Sequence, residues 1–350
     1  MSVVGAARRA LLPDGPVPRP LSTWEPHHAL RRFRIPAPRP CRRRRGRRHT
    51  VPLPGVTSLT DLIRDTDGLP GLLAAGATAL DVPPGPHVSE VRLLSPLQPS
   101  SVRDFVTFEE HVEGVRRSVS GESGVPAQWY EAPTYYFTNP HAVFGPHDDV
   151  PVPPGSAVLD FELEVAAVIG REGRDLTPEQ ARDHIVGYTV FNDWSARDLQ
   201  SAEMKVGLGP CKGKDTATTL GPYLVTADEL EPHRDSDGFL RLALTAEVNG
   251  EKVGSDLLSN MSWTFEEMTA YASRGTRIVP GDVLGSGTCG NGGCLAELWG
   301  RSGERIPPPL KPGDTVTLTV EAVGSLTTRV VPGTEPVALP KGRRRNRERP

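Results

Sequence analysis

The residues of this 350-residue chain best placed to do chemistry are carboxylates, and the run Asp160-Phe161-Glu162-Leu163-Glu164-Val165 is the most telling. Acidic and apolar residues alternate there. On a strand, Glu162 and Glu164 share one face, Asp160 joins it at the start, and Phe161, Leu163 and Val165 point to the other. Two such acids can hold a hard cation, but a half-exposed strand with one solvated face shows the same alternation. A further acid ends an apolar run, since Val186 to Phe191 leads into Asn192-Asp193-Trp194 and puts Asp193 where a strand stops and sites gather. Upstream, Asp104 and His111 are spaced to share one face if their segment is helical, although a lone histidine at such a spacing is more often a core or surface residue than a base.

The body that must position these residues is large enough for one sizeable globular domain plus a small one, with 37% hydrophobic residues. No run reaches the roughly 18 apolar residues of a membrane span, and the N-terminus lacks a secretory pattern, so a cytoplasmic location is expected, with no membrane partner. The four cysteines, Cys41, Cys211, Cys289 and Cys294, show no CxxC spacing and are expected reduced and unligated. Charge is uneven. Residues 1–50 carry +11 and the last ten residues +5, so the net charge of -3 leaves -19 on residues 51–340.

Residues 1–50 combine arginine runs with prolines and no hydrophobic period, which predicts a basic, disordered segment. An arm for nucleic acid or another anionic partner is one reading, and an extended or misassigned start of translation in an arginine-rich coding context is the other. Residues 51–100 read as a short accessory region, with helical spacing at 58–64 and 69–80. Residues 101–335 read as the catalytic domain and 336–350 as a basic tail. Strands are predicted at 157–169, 186–192, 222–226, 239–248, 277–284 and 315–322, with Asn249-Gly250 as a hairpin turn. Thr177 with Gln180 and Thr264 with Glu267 have capping-box spacing and mark helix starts. The glycines of 285–293 lack a phosphate-loop pattern and read as a tight loop beside substrate.

The segments DFELE (160–164), FNDWSARD (191–198), GKDTATT (213–219) and SGTCGNGGCLAEL (286–298) together resemble the fumarylacetoacetate hydrolase family over about residues 101–333. The resemblance implies a mostly β, α+β catalytic domain, a mixed β-sandwich roll, in a homodimer. It implies that Asp104, Glu162, Glu164 and Asp193 hold a divalent metal, Mg²⁺ or Ca²⁺ with Mn²⁺ as a third option, which suits all-oxygen ligands. His111 falls on the family's catalytic base and Glu297 on the acid that orients it. Arg197, Gln200 and Lys214 match residues around the substrate's developing charge, Tyr136 and Thr288 match substrate contacts, and Thr218 matches a threonine near the metal.

The implied activity is hydrolysis of a carbon–carbon bond in a small dicarbonyl acid such as fumarylacetoacetate or an acylpyruvate, in aromatic catabolism. The alternatives are a 2-oxo acid isomerase, decarboxylase or hydratase on the same scaffold, and a basic-armed nucleic-acid-binding protein. Fumarylacetoacetate hydrolase itself has a tyrosine where this chain has Val106, and a much longer accessory domain.

Overall fold

The computed structural model of the protein describes residues 2–7, 29–34, 50–79, 81–345 and 347. Its spine is the strand Leu163–Ile169, which is buried along its whole length. It runs antiparallel to Ile185–Asp193 on one side and to Val283–Gly285 on the other. Val283–Gly285 then pairs in parallel with Val102–Phe105, which pairs with the edge strand Tyr135–Thr138. Ile185–Asp193 is long enough to take two further partners, Thr218–Leu220 near its end and Leu224–Thr226 nearer its start. A second sheet of five strands carries the hairpin Ala243–Val248 and Glu251–Leu257. Asn249 and Gly250 form its turn with φ of 55° and 81°, the left-handed pair that a two-residue hairpin needs. The α+β fold with a mixed, curled sheet is as expected.

Alternation along the spine separates two cores. Leu163, Val165, Ala167 and Ile169 pack into the larger one, while Ala166 and Val168 pack with Val51, Leu59, Ile63 and Leu72 on the other face. The accessory region thus closes the second face of the sheet with its helices Leu59–Asp65 and Gly68–Ala79. Both capping boxes form, at Thr177 and Thr264. Among the described residues no helix is long and apolar enough to cross a membrane. The described cysteines, Cys211, Cys289 and Cys294, are free, and Cys41 lies outside the described residues.

Several expectations change. The strand predicted at 157–169 is split, because Leu159–Asp160 pairs with Ser195–Ala196 while Leu163–Ile169 joins the main sheet. Phe161 and Glu162 lie at the change of partner, and the Glu162 amide donates to the Asn192 side chain at 2.9 Å instead of to a strand. The strand predicted at 277–284 is divided by the turn at Pro280-Gly281, giving Arg277–Ile278 and Val283–Gly285. Within residues 1–50, where no packed element is predicted, Ser2–Ala7 and Ala29–Arg34 are paired strands, and Ala29–Arg34 extends the sheet beside Leu224–Thr226. Backbone pairing at a free edge needs no hydrophobic period, which is why the composition conceals it. Of the remainder of 1–50 only Thr50, the first residue of the strand Thr50–Pro52, is among the described residues. At the other end, residues 332–345 carry no helix or strand.

Two helices bring side chains beneath the sheet's carboxylates. Glu109–Ser120 and Leu295–Ser302 cross so closely that a Cβ on Gly300 would stand 1.8 Å from the Gly114 carbonyl oxygen. Gly300→Ala is expected to force the two helices apart at a cost of about 1–3 kcal/mol. Urea unfolding checks this, and an unchanged midpoint would contradict the packing described.

Candidate metal centre

Neighbouring strands deliver the acids to one point. Asp104 comes from Val102–Phe105, Glu164 from the spine, Glu162 from the residues just before it, and Asp193 from the last position of Ile185–Asp193. Asp104 and His111 do not share a helix face. Asp104 is held in a strand by pairing with Gly285, and His111 sits in the helix that follows. Gly285 is what lets the acids approach, because a Cβ there would lie 2.5 Å from Asp104 Oδ1 and 3.0 Å from Glu164 Oε2. Ligand oxygens of Asp104, Glu162 and Glu164 all fall within 4.8 Å of one another, and all three residues are buried. The solvated-strand reading of Glu162 and Glu164 is thereby excluded, since their face is a closed cage.

Asp193 stands beside this triad. Its Oδ2 accepts from Lys214 Nζ at 2.6 Å and from the Tyr136 hydroxyl, and its Oδ1 is buried without a partner. Asp104 Oδ1 is likewise buried and unpartnered. Buried acceptor oxygens without donors cost free energy, and Asp104 belongs to a group of hard oxygen ligands. That donor set fits a divalent cation such as Mg²⁺, Ca²⁺ or Mn²⁺.

The electrostatics follow from burial and crowding. Burial, followed by the Asp193 charge, pushes Asp104 well above the ordinary carboxylate range, and burial together with Asp104 does the same to Glu164. Burial also raises Asp193, to about 6, although Lys214 opposes it. Glu162 goes the other way. Burial would raise it, but Lys214 and Arg197 outweigh that and hold it well below the usual range. Lys214 Nζ bonds both Glu162 and Asp193, so its charge serves the carboxylates.

The remaining expected residues gather here with altered partners. His111 Nε2 lies 3.9 Å from Glu162 Oε1, and its Nδ1 lies 3.7 Å from Cys294 Sγ. Burial lowers its pKa to about 4, so the ring is neutral at ordinary pH. No hydrogen bond joins His111 to Glu297. The Glu297 carboxylate instead accepts from the Gly292 amide at 3.2 Å and from Arg301 at 3.3 Å, and burial raises its pKa to about 7. The cause is local, because Leu295–Ser302 turns Glu297 toward Arg301 one turn on and places its own first-turn cap, Cys294, against the imidazole.

Arg197 donates to Glu162 at 2.8 Å, to Asp160 at 2.9 Å and to Gln200 Oε1 at 3.0 Å. Its partners are therefore Asp160 and Glu162 rather than the adjacent Asp198 or Asp193. The Thr288 hydroxyl donates to Glu164 at 3.3 Å, and the Gly287 amide donates to the same carboxylate at 3.0 Å, which makes this end of the glycine-rich loop a brace for Glu164. Thr218 is the strand partner of Asp193. Sequence reasoning placed Asp160 on the acidic face but gave it no role, and its carboxylate also receives the amides of Leu295 and Ala296. A cleft of about 430 Å³ opens nearby, lined by Arg117, Arg197, Asp198, Ala296, Trp299 and Arg305 but by none of the four acids.

Known proteins match this chain over most of its length. The family model described as fumarylacetoacetate (FAA) hydrolase C-terminal matches residues 100–331. The oxaloacetate tautomerase YisK of Bacillus subtilis (strain 168) is 30% identical over 250 residues, covering 69% of this chain and 74% of the relative. The fumarylacetoacetase of Arabidopsis thaliana is 31% identical over 258 residues, covering 61% of each chain. Among solved structures, the fumarylacetoacetate hydrolase of Exiguobacterium antarcticum superposes with a TM-score of 0.62 at 25% identity, covering 87% of this chain and 96% of that one.

The raised carboxyls have a consequence for pH. Without metal, burial raises all three of Asp104, Glu164 and Asp193, so the stability that their protonated forms contribute is present at low pH and lost as pH rises, for Asp193 through about 6. A cation must displace those protons. Mn²⁺ is therefore expected to raise the melting temperature more at about pH 7.5 than at about pH 5 and to release protons on binding. Differential scanning fluorimetry and calorimetry in two buffers check this, and equal shifts at both pH values would contradict it.

Proposed function

This chain belongs to the fumarylacetoacetate hydrolase family, and from that premise we propose that it is a divalent-metal enzyme cleaving a carbon–carbon bond of a small 1,3-dicarbonyl acid by hydrolysis. The observation that carries the reading is the convergence of Asp104, Glu162 and Glu164 on one buried point with neutral His111 beside it. A bound cation would supply Lewis-acid polarisation of an enol oxygen. The chain's own residues would do the rest. Asp104, Glu162, Glu164 and Asp193 hold the charge that such an ion requires. His111, neutral above about pH 4, is a base able to take a proton from water. Arg197 and Lys214 stand against Glu162 as the positive groups nearest the developing anion, Gln200 holds Arg197, and Tyr136 and Thr288 fix Asp193 and Glu164.

A second reading is favoured by one observation: Glu297 bonds Gly292 and Arg301, so the pair expected to orient a hydrolytic base is not made. Transfer of a single proton on the same enolate, as in tautomerisation of a 2-oxo acid, needs only a metal cage and a base. The named relatives divide in the same way, between a fumarylacetoacetase and an oxaloacetate tautomerase.

Metal-stripped protein assayed on acylpyruvates, fumarylacetoacetate and oxaloacetate, with and without Mg²⁺ or Mn²⁺, separates the two. Metal-dependent cleavage is expected, and His111→Ala is expected to slow it by about 100-fold or more. Tautomerisation of oxaloacetate without cleavage of any dicarbonyl would replace hydrolysis with the second reading. No turnover in any ion would sink both.

A further inference from the structure

We propose that Asp160 is the positioning residue of this site: by sharing Arg197 it keeps the guanidinium from neutralising Glu162, and so leaves the cage negative enough for a divalent cation. The proposal rests on reading the cage as a metal centre. Asp160 is fully buried and its carboxylate is saturated. Oδ1 accepts from the Phe161 and Leu295 amides, each at 2.8 Å, and Oδ2 accepts from the Ala296 amide at 3.0 Å and Arg197 Nε at 2.9 Å. Arg197 Nη2 lies 2.8 Å from Asp160 Oδ2 and 2.8 Å from Glu162 Oε1, so one nitrogen is divided between the two acids.

That division matters because Glu162 already receives Lys214. With Asp160 charged, Arg197 is balanced by a carboxylate outside the cage, and the cage acids answer mainly to one cation. Without that charge, both cations fall on Glu162, and a divalent ion meets a more positive site. The same carboxylate seats the first amides of Leu295–Ser302, whose cap Cys294 stands against His111. Asp160 touches no substrate position and acts only through Arg197 and this helix. An asparagine is the informative replacement, since its NH₂ group would face N–H donors on one side while removing the charge.

The test is Mn²⁺ titration calorimetry on the metal-stripped full chain as wild type, Asp160→Asn, Arg197→Gln and the double variant, with circular dichroism to establish folding. Asp160→Asn is expected to bind Mn²⁺ about tenfold or more weakly, from one uncompensated charge near the cage. The double variant should return to within about threefold of wild type, because the two changes remove a compensating pair. A merely structural Asp160 would leave the double variant as weak as Asp160→Asn. Unchanged affinity in Asp160→Asn, or a double variant no tighter than Asp160→Asn, overturns the proposal. If Asp160→Asn does not fold, Arg197→Gln decides: it should bind Mn²⁺ more tightly than wild type, and equal or weaker binding overturns the proposal. Wild-type Mn²⁺ binding and the expected cycle without turnover of any dicarbonyl or oxaloacetate would sink the functional reading alone.

Discussion

Mutual repulsion of buried carboxylates is the constraint on which the centre of this structure depends. Asp104, Glu162, Glu164 and Asp193 occupy a space from which water is largely excluded, and acids so placed cannot all ionise unless positive charge is supplied. Two devices answer this in the protein itself. Lys214 joins Glu162 to Asp193, and Arg197 joins Glu162 to Asp160. The result is uneven, with Glu162 held ionised while Asp104 and Glu164 are pushed toward their protonated forms. A hard cation among these oxygens would complete the balance, and the unpartnered Oδ1 atoms of Asp104 and Asp193 are the places where it is incomplete.

The sheet is arranged to sustain that crowding. Gly285 removes the one side chain that would stand between Asp104 and Glu164, and its register opposite both strands makes the space reliable. The change of strand partner at Asp160 releases Glu162 from the ladder so that its amide can be held by Asn192 and its carboxylate can turn inward. Beneath, glycines at 114 and 300 let two helices meet at backbone distance, which brings His111 and Cys294 together. Each of these features is a loss of regular structure or side-chain volume at the point where charge is concentrated. Such local concessions are characteristic of sites rather than of cores.

Much of this was legible from residues alone, for identifiable reasons. Period-two alternation depends only on neighbours in the chain, so the opposite facing of Leu163 and Glu164 follows before any fold is known. Capping boxes and the Asn249-Gly250 turn are equally local. What alternation could not say is what each face meets. Glu162 and Glu164 face a buried cage, and a solvated surface would have produced the same pattern. The strands at Ser2–Ala7 and Ala29–Arg34 were illegible because their pairing is made by backbone at a sheet edge, and composition does not record it.

The sequence by itself determined the acidic body, the alternation that aligns two glutamates, the turn and capping signals, and the motifs that place the chain in its family. Only the tertiary structure decided who partners whom. It turned Asp160 from an acid at the start of a strand into the shared counter-ion of Arg197, and it gave Lys214 to two carboxylates. It also sent Glu297 to Arg301 and put Cys294 against His111. The reason is physical. Local pattern follows from bonds along the chain, whereas charge balance in a buried site depends on distances between residues as far apart as His111 and Cys294, and folding alone sets those.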